Sequence, residues 1–232
     1  MSSILLMRKV TNMKQLTTLT LFLVSMIGSV NSLPIEELES QVFTKINLAN
    51  SMGCNNFLKE DGAIFEQKCL DKTNEINNLL NKLWMFGEND SDSIKLFKRM
   101  WIDDNSSSII STPLIKLNLV YLLGQEYGIS GDTSKKPNHI SELRGYVRKY
   151  LMSNNPLLLN RAVSAITYVG EPKDVQLLKR IILLKIRGIS EKAIDSVATI
   201  LNSEVSTSMF MKDILPLVNS QQLKDRISKY IL

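Results

Sequence analysis

Histidine is almost missing from this sequence, because only His139 occurs among its 232 residues. A zinc site built on two imidazole ligands is therefore excluded, and a catalytic base at His139 would have no visible partner residues. The sequence also lacks a Gly-Xaa-Ser-Xaa-Gly motif, a Gly-rich phosphate-binding loop and a dinucleotide-binding fingerprint. We expect no metal site and no cofactor, and a binding protein rather than an enzyme.

Acidic residues are absent from the first 32 positions, where basic residues precede an apolar segment at 16–30. Val30 and Ser32 occupy the small-residue positions of a signal peptidase site, and this order is typical of a secretory signal over residues 1–32. We expect cleavage after Ser32 and a secreted or periplasmic protein. The alternative is an uncleaved anchor, although a stable membrane span needs about 20 apolar residues. No later segment is predicted to span a membrane.

Cysteine is also scarce, with only Cys54 and Cys69 present. In an oxidising compartment we expect the two thiols to form a disulfide. The closed loop would contain about 15 residues, which corresponds to roughly 3 kcal/mol in the chain-entropy model. Two free buried thiols are the alternative if the protein is not exported.

The excess of basic charge is smaller than the whole chain suggests. Three of the 28 basic residues and none of the 23 acidic residues lie in the signal, so residues 33–232 carry a net charge of +2. That charge is uneven, at −5 over residues 33–112 and +7 over residues 113–232. Nucleic acid is not expected as a partner, because the net charge is low and no base-stacking aromatics interleave the basic residues.

The alternation typical of β-strands is missing, and apolar residues recur at helical spacing instead, which predicts an all-α fold. The polar segment 103–112 is predicted as a linker between an N-terminal helical region over 33–104 and a domain over 113–232. The predicted helices cover 33–52, 63–86, 93–101, 113–127, 140–152, 155–169, 173–186, 191–201, 207–218 and 221–231.

Three stretches of the second domain are alike: LVYLLG at 119–124, AITYVG at 165–170 and VATILN at 197–202. The second stretch carries the fullest pattern, in Arg161-Ala162, Ala165-Ile166, Val169-Gly170-Glu171-Pro172, Val175, Leu178 and Ile181. These residues resemble a HEAT-like repeat of the phycobilisome-lyase type, with Glu171 in place of the usual Asp and Asn202 in place of the third Gly. The resemblance covers residues 113–232. It implies a short right-handed α-solenoid of HEAT-like helix pairs, preceded here by a helical hairpin region, but it does not fix the function.

Basic residues on the second helix of each pair form the main candidate binding surface. In HEAT-like stacks the second helices usually line the concave face, so we predict a basic trough there for an acidic protein segment or an anionic polymer. Lys173, Arg180 and Arg187 are seven residues apart and are expected to share one helical face. The alternative is a solvated face that keeps the protein soluble. The candidate binding residues are Arg144, Arg148, Lys173, Lys179, Arg180 and Arg187.

The leading hypothesis is an exported binding or scaffold protein with a protein partner. A lyase-like or hydrolytic enzyme component with an unidentified site is the alternative, without a positive signal in the sequence. A third hypothesis places the function in the N-terminal region, with the repeats as a platform. There, Trp84, Met85, Phe86 and Trp101 form either a docking patch or, as we favour, part of the core.

Overall fold

The computed structural model describes residues 34–58, 66–86, 91–103, 105–129 and 139–232. The predicted signal over 1–32 lies outside these residues, as do the first three residues of the helix predicted at 63–86. Over the described residues the chain forms ten α-helices and no β-strand, which confirms the all-α prediction. Within this part of the chain, no helix is both long and apolar enough to cross a membrane.

The helices follow the predicted apolar periodicity closely, with differences mainly at their ends. They are α1 (Ile35–Ser51), α2 (Gln67–Phe86), α3 (Ser91–Ile102), α4 (Pro113–Ile129), α5 (Ile140–Tyr150), α6 (Pro156–Val169), α7 (Val175–Leu183), α8 (Ile189–Leu201), α9 (Glu204–Ile214) and α10 (Gln221–Ser228). Short 3-10 helices lie at Cys54–Asn56, Ile109–Ser111, Pro172–Asp174 and Leu215–Leu217.

Helix α6 shows why the sequence fixes some boundaries well. The Asn155 side chain caps its N-terminus by accepting hydrogen bonds from the Leu157 and Leu158 backbone N–H groups, at 2.9 and 3.4 Å. Pro156 suits the first turn, where no intrahelical N–H bond is lost. The predicted start and end of this helix are therefore those of the structure.

The region between α7 and α8 corrects two predictions. The helix predicted to reach Ile186 ends at Leu183, because Lys185 has a φ of 58° and leaves the helical region. Gly188, with a φ of 80°, caps α8, and its N–H donates to the Glu191 carboxylate at 2.6 Å. The predicted start at Glu191 is two residues too late, since α8 begins at Ile189, and the buried Ser190 hydroxyl group within its first turn donates to the Ile181 carbonyl at 3.0 Å.

In the N-terminal region, α1 packs along α2, and a disulfide joins Cys54 to Cys69 with a Cα–Cα distance of 5.3 Å. The disulfide ties the 3-10 helix after α1 to the first turn of α2. It closes the loop from Cys54 to Cys69, so it reduces the number of conformations that the unfolded chain can adopt.

The segment predicted as a linker is packed into the protein. Ile109 and Ile110 are buried, and the Ile109 N–H donates to the Asn50 Oδ1 atom at 2.6 Å. Two adjacent isoleucines in a serine-rich stretch provide enough apolar surface to hold the segment against α1. Residues 35–232 accordingly form one compact unit.

A buried lysine joins α3 to α4. The Lys116 ammonium group donates to the backbone carbonyls of Met100, Trp101 and Asp103, with lengths of 3.1 Å to Met100 and 2.9 Å to Asp103. These carbonyls lie at and just after the C-terminal end of α3, where they lack intrahelical donors and favour a positive charge. Lys116 therefore supplies the C-terminal cap of α3 from a neighbouring helix.

Helix α6 packs against both α4 and α8, while α5 packs on α6 and α7 packs on α8. Glycines permit these close approaches. A Cβ atom at Gly124 would lie 2.9 Å from Cβ of Tyr168 and from Cγ1 of Val169, and one at Gly170 would lie 2.7 Å from Cδ1 of Ile200. The two glycines end the first two similar stretches, so each allows the end of one helix to contact the end of the next.

The four residues of the predicted aromatic cluster do not share one environment. Trp101 is buried and makes an edge-to-face contact with Tyr146, with ring centroids 5.2 Å apart. Trp84 is half-buried, whereas Met85 and Phe86 at the end of α2 are exposed. Core packing therefore accounts for Trp101 but not for Met85 and Phe86.

Candidate functional site

Two of the predicted binding residues lie in an ion-pair cluster within the chain. Arg148 binds Asp174 through Nε and Oδ1 at 2.6 Å and binds Glu171 through Nη2 and Oε1 at 2.7 Å. Arg144 donates to Glu171 at 3.0 Å and to the Val169 carbonyl at 2.7 Å. The Asp174 side chain is almost completely buried, and its hydrogen bond raises the pKa of Arg148. These two guanidinium groups hold α5 against the turn after α6.

The other four predicted binding residues do not form one face. Lys173 pairs with Glu171 at 2.5 Å, and Lys179 is half-buried on α7. Arg180 is exposed on α7, but Arg187 lies beyond the end of that helix, in the turn before α8. The predicted alignment of Lys173, Arg180 and Arg187 is therefore wrong, because α7 contains only nine residues and Arg180 alone of the three belongs to it.

A groove of about 510 Å³ opens instead across the first helices of the three similar segments, α4, α6 and α8. Its volume lies within the range of roughly 300–1,000 Å³ that is usual for ligand pockets. Residues of all three helices line it, together with Asn81 of α2: Leu117, Asn118 and Tyr121 from α4, Arg161, Ser164, Thr167 and Tyr168 from α6, and Lys192, Asp195, Ser196 and Thr199 from α8.

The groove is built from equivalent positions of the three segments. With the offsets of 46 and 32 residues that relate the similar stretches, Asn118 corresponds to Ser164 and Ser196. By the same offsets, Tyr121 corresponds to Thr167 and Thr199, and all six side chains line the groove. Successive helices therefore present the same polar face, beside the apolar faces with which they pack.

Two cations lie in this groove. The Lys192 ammonium group donates to Asn160 Oδ1 at 2.6 Å and to Ser164 Oγ at 3.0 Å, which leaves one N–H group for another acceptor. The Arg161 guanidinium group has no hydrogen bond or ion pair with any described residue. Burial lowers the pKa of Arg161, and burial together with the nearby Arg161 charge lowers the pKa of Lys192. The two positive charges therefore repel each other in a partly desolvated place.

The acidic group in the groove does not neutralise these cations. Asp195 is the one acidic residue among the described residues that line the groove. Both its oxygens bind Arg226, with a length of 2.8 Å to Oδ1, and Oδ1 also accepts a hydrogen bond from the Tyr230 hydroxyl group at 2.8 Å. The groove therefore keeps a positive potential that favours an anion.

The remaining lining groups are mostly neutral hydrogen-bonding side chains. The Ser164 and Thr199 hydroxyl groups donate to the carbonyls four residues earlier, each at 3.2 Å, and Ser164 Oγ also accepts from Lys192 at 3.0 Å. The exposed Thr199 hydroxyl group therefore presents acceptor lone pairs outward. The rings of Tyr121 and Tyr168 meet edge to face, with centroids 5.4 Å apart. Burial, with a smaller contribution from Tyr168, raises the pKa of Tyr121.

The sequence analysis missed Arg161 and Lys192 as candidate binding residues. The sequence could have indicated Arg161, because it is the single charged residue among the 14 residues of α6. Lys192 has no such signal, since it lies between acidic and apolar residues at the start of α8. Comparing the polar positions of the three segments, and not only their apolar ends, would have identified the groove-facing hydroxyl and amide groups.

His139 lies at the N-cap position of α5, without a side-chain capping bond. The described residues contain no group of three or more histidine, cysteine, aspartate or glutamate side chains that could hold a metal ion.

No protein-family model, curated protein or solved structure matches this chain. The function must therefore be argued from the groove itself.

Proposed function

We propose that this protein is an exported binding or scaffold protein that takes an anionic group of its partner in the groove between α4, α6 and α8. The observation that carries the proposal is the pair Arg161 and Lys192, which face the groove without a neutralising carboxylate. Two like charges in a partly buried place are unfavourable until an anion joins them. An anionic partner would therefore gain the interaction that the free protein lacks.

The proposed scaffold is a short right-handed stack of HEAT-like helix pairs over residues 113–232. The equivalent close approaches at Gly124 and Gly170 support it, as do the equivalent polar positions in the groove. Helices α2 and α3 pack on α4, the first helix of this stack, and would cover its apolar side as a terminal cap does. The proposed basic surface therefore lies on the first helices of the pairs, whereas the sequence analysis predicted it on the second helices.

Export is part of the same proposal. The signal-like residues 1–32 support it, and the disulfide between Cys54 and Cys69 is of the kind that persists in oxidising compartments. The enzymatic alternative has less support, because the described lining of the groove offers one carboxylate, which is bound by Arg226 and Tyr230. A two-carboxylate acid–base pair would need a second one there.

A capture experiment with the mature chain, residues 33–232, tests this proposal. The extracellular or periplasmic fraction of the source cells would be passed over the immobilised wild-type protein and over the double variant Arg161→Gln/Lys192→Gln. The matched control is Arg180→Gln/Arg187→Gln, which removes the same charge from exposed positions outside the groove.

We expect one partner to be retained by the wild type and by the control, and to be lost from the groove variant. Retention should fall as salt is raised, since the attraction is electrostatic. A partner that stays on the groove variant but leaves the control would contradict the proposal and return attention to Arg180 and Arg187.

A further inference from the structure

We propose that the anionic group in the groove belongs to a sugar unit, so that the ligand is an acidic carbohydrate. This inference rests on the proposed function, because it names the class of ligand for the same groove. It follows from the neutral groups that surround Arg161 and Lys192, and from the size of the space that they share.

A simple anion would use only a small part of the groove. A carboxylate or phosphate carries acceptors, so it can bind the Arg161 fork and the free N–H of Lys192. A carboxylate has no donor for the outward lone pairs of Thr199, whose hydroxyl proton is bound to the Asp195 carbonyl, whereas Ser164 Oγ already accepts a hydrogen bond from Lys192. A ligand that satisfies both sets of groups needs a hydrogen-bond donor next to its anionic group, which the hydroxyl groups of an acidic sugar supply.

Two amide groups, on α2 and α4, also belong to the lining of the groove. The buried Asn118 Nδ2 donates to Asn81 Oδ1 at 3.2 Å, which leaves the Asn81 Nδ2 donor of this half-buried side chain for a ligand. The two cations thus lie among donors and acceptors from α2, α4, α6 and α8. An arrangement of this kind fits a compact ligand with several hydroxyl groups.

The volume of about 510 Å³ also favours a whole sugar unit over a single carboxylate group. The half-buried rings of Tyr121 and Tyr168 give the groove an apolar wall, on which the C–H face of a sugar ring can pack. An acidic peptide would bring carboxylates and backbone N–H donors, but its acidic side chains have no ring face for this apolar wall. We therefore favour a carbohydrate over an acidic protein segment.

Calorimetric titration of the mature chain would compare six probes. Glucuronate and glucose 6-phosphate are anionic sugars with different anions, and glucose is the neutral counterpart. Acetate and inorganic phosphate are anions without hydroxyl-bearing carbons, and a short peptide of alternating Glu and Ser represents an acidic protein segment. The variants are Arg161→Gln/Lys192→Gln, Thr199→Val and the control Arg180→Gln/Arg187→Gln.

We expect at least one anionic sugar to bind at least tenfold more tightly than glucose, acetate, phosphate and the peptide. The groove double variant should weaken that binding tenfold or more, and the control should not change it. Thr199→Val removes one acceptor with little change of shape, so it should weaken the sugar severalfold without affecting simple anions. The better of the two sugars would identify the anion as a carboxylate or a phosphate.

Other outcomes separate the two proposals. Simple anions that bind as tightly as the anionic sugars would overturn the carbohydrate inference and leave the anion-binding groove in place. If the peptide binds through Arg161 and Lys192 and the sugars do not, the carbohydrate inference is also overturned and the anion-binding groove is retained. If no anionic probe binds, or if binding is unchanged in the groove variant, both the inference and the proposed function fail.

Discussion

The ion-pair cluster between α5 and the turn after α6 allows a quantitative test of the fold. We consider Arg148→Met, which removes the guanidinium group but keeps most of the aliphatic length of the side chain. The wild-type Arg148 binds Asp174 at 2.6 Å and Glu171 at 2.7 Å, and 30% of its side chain is exposed. Each of these bonds involves charged groups, which contribute about 1.5–3 kcal/mol when they are protected from solvent.

We do not expect the substitution to lower the free energy of unfolding by the full sum of these two contributions. Arg144 remains in the cluster, 3.9 Å from Asp174 Oδ2, and part of the charge of Arg148 is already screened by solvent. The buried Asp174 carboxylate nevertheless loses its closest cation, and an uncompensated buried charge is costly. We therefore expect Arg148→Met to lower the free energy of unfolding by about 2–4 kcal/mol.

The measurement is urea unfolding followed by far-ultraviolet circular dichroism, compared at the same protein concentration. The control is Arg180→Met, an exposed arginine of α7 with no acidic partner among the described residues, which should change the stability by less than about 0.5 kcal/mol. Equal midpoints for the two variants would refute the structural role of the cluster. If the prediction holds, lost binding after charge reversal at Arg148 would report unfolding and not a contact with the partner.

Three further predictions concern other parts of the molecule. Lys116→Met should lower the free energy of unfolding by about 2–4 kcal/mol, because three carbonyls near the end of α3 lose their donor. The control is Lys82→Met at an exposed position, which should have little effect. Urea unfolding would measure the stability of both variants. Gly124→Ala should lower the free energy of unfolding by about 1–3 kcal/mol, because its Cβ would lie 2.9 Å from atoms of α6. Gly145→Ala, whose Cβ would have no atom within 4 Å, should instead raise the melting temperature. A more stable Gly124→Ala variant and a less stable Gly145→Ala variant would contradict the close approach of α4 and α6. The cations around Glu171, above all Lys173, lower its pKa to about 2, so its carboxylate stabilises the folded state above about pH 5 and this contribution is lost as the pH falls towards 2. The difference in stability between wild type and Glu171→Gln should therefore shrink between pH 6 and pH 3, and a constant difference would show that the ion pairs do not matter.

The sequence by itself determined the helices and several of their contacts. Apolar residues at helical spacing fixed the all-α class, and Asn155-Pro156 fixed the start of α6, because capping and periodicity depend on residues within a few positions. The pairing of Cys54 with Cys69 was also predictable, since they are the only cysteines. The end of α7 was not, because nothing in its sequence marks the positive φ of Lys185.

Only the tertiary structure decided which charges are free. Arg148 and Asp174 are 26 residues apart, so their ion pair exists because α5 packs on α6 and brings the following turn into reach. Arg161 and Lys192 are 31 residues apart, and they face one groove because α6 and α8 pack side by side. A basic residue looks the same in the sequence whether an acid lies beside it or not. Its availability to a partner depends on interactions across helices, which local patterns do not contain.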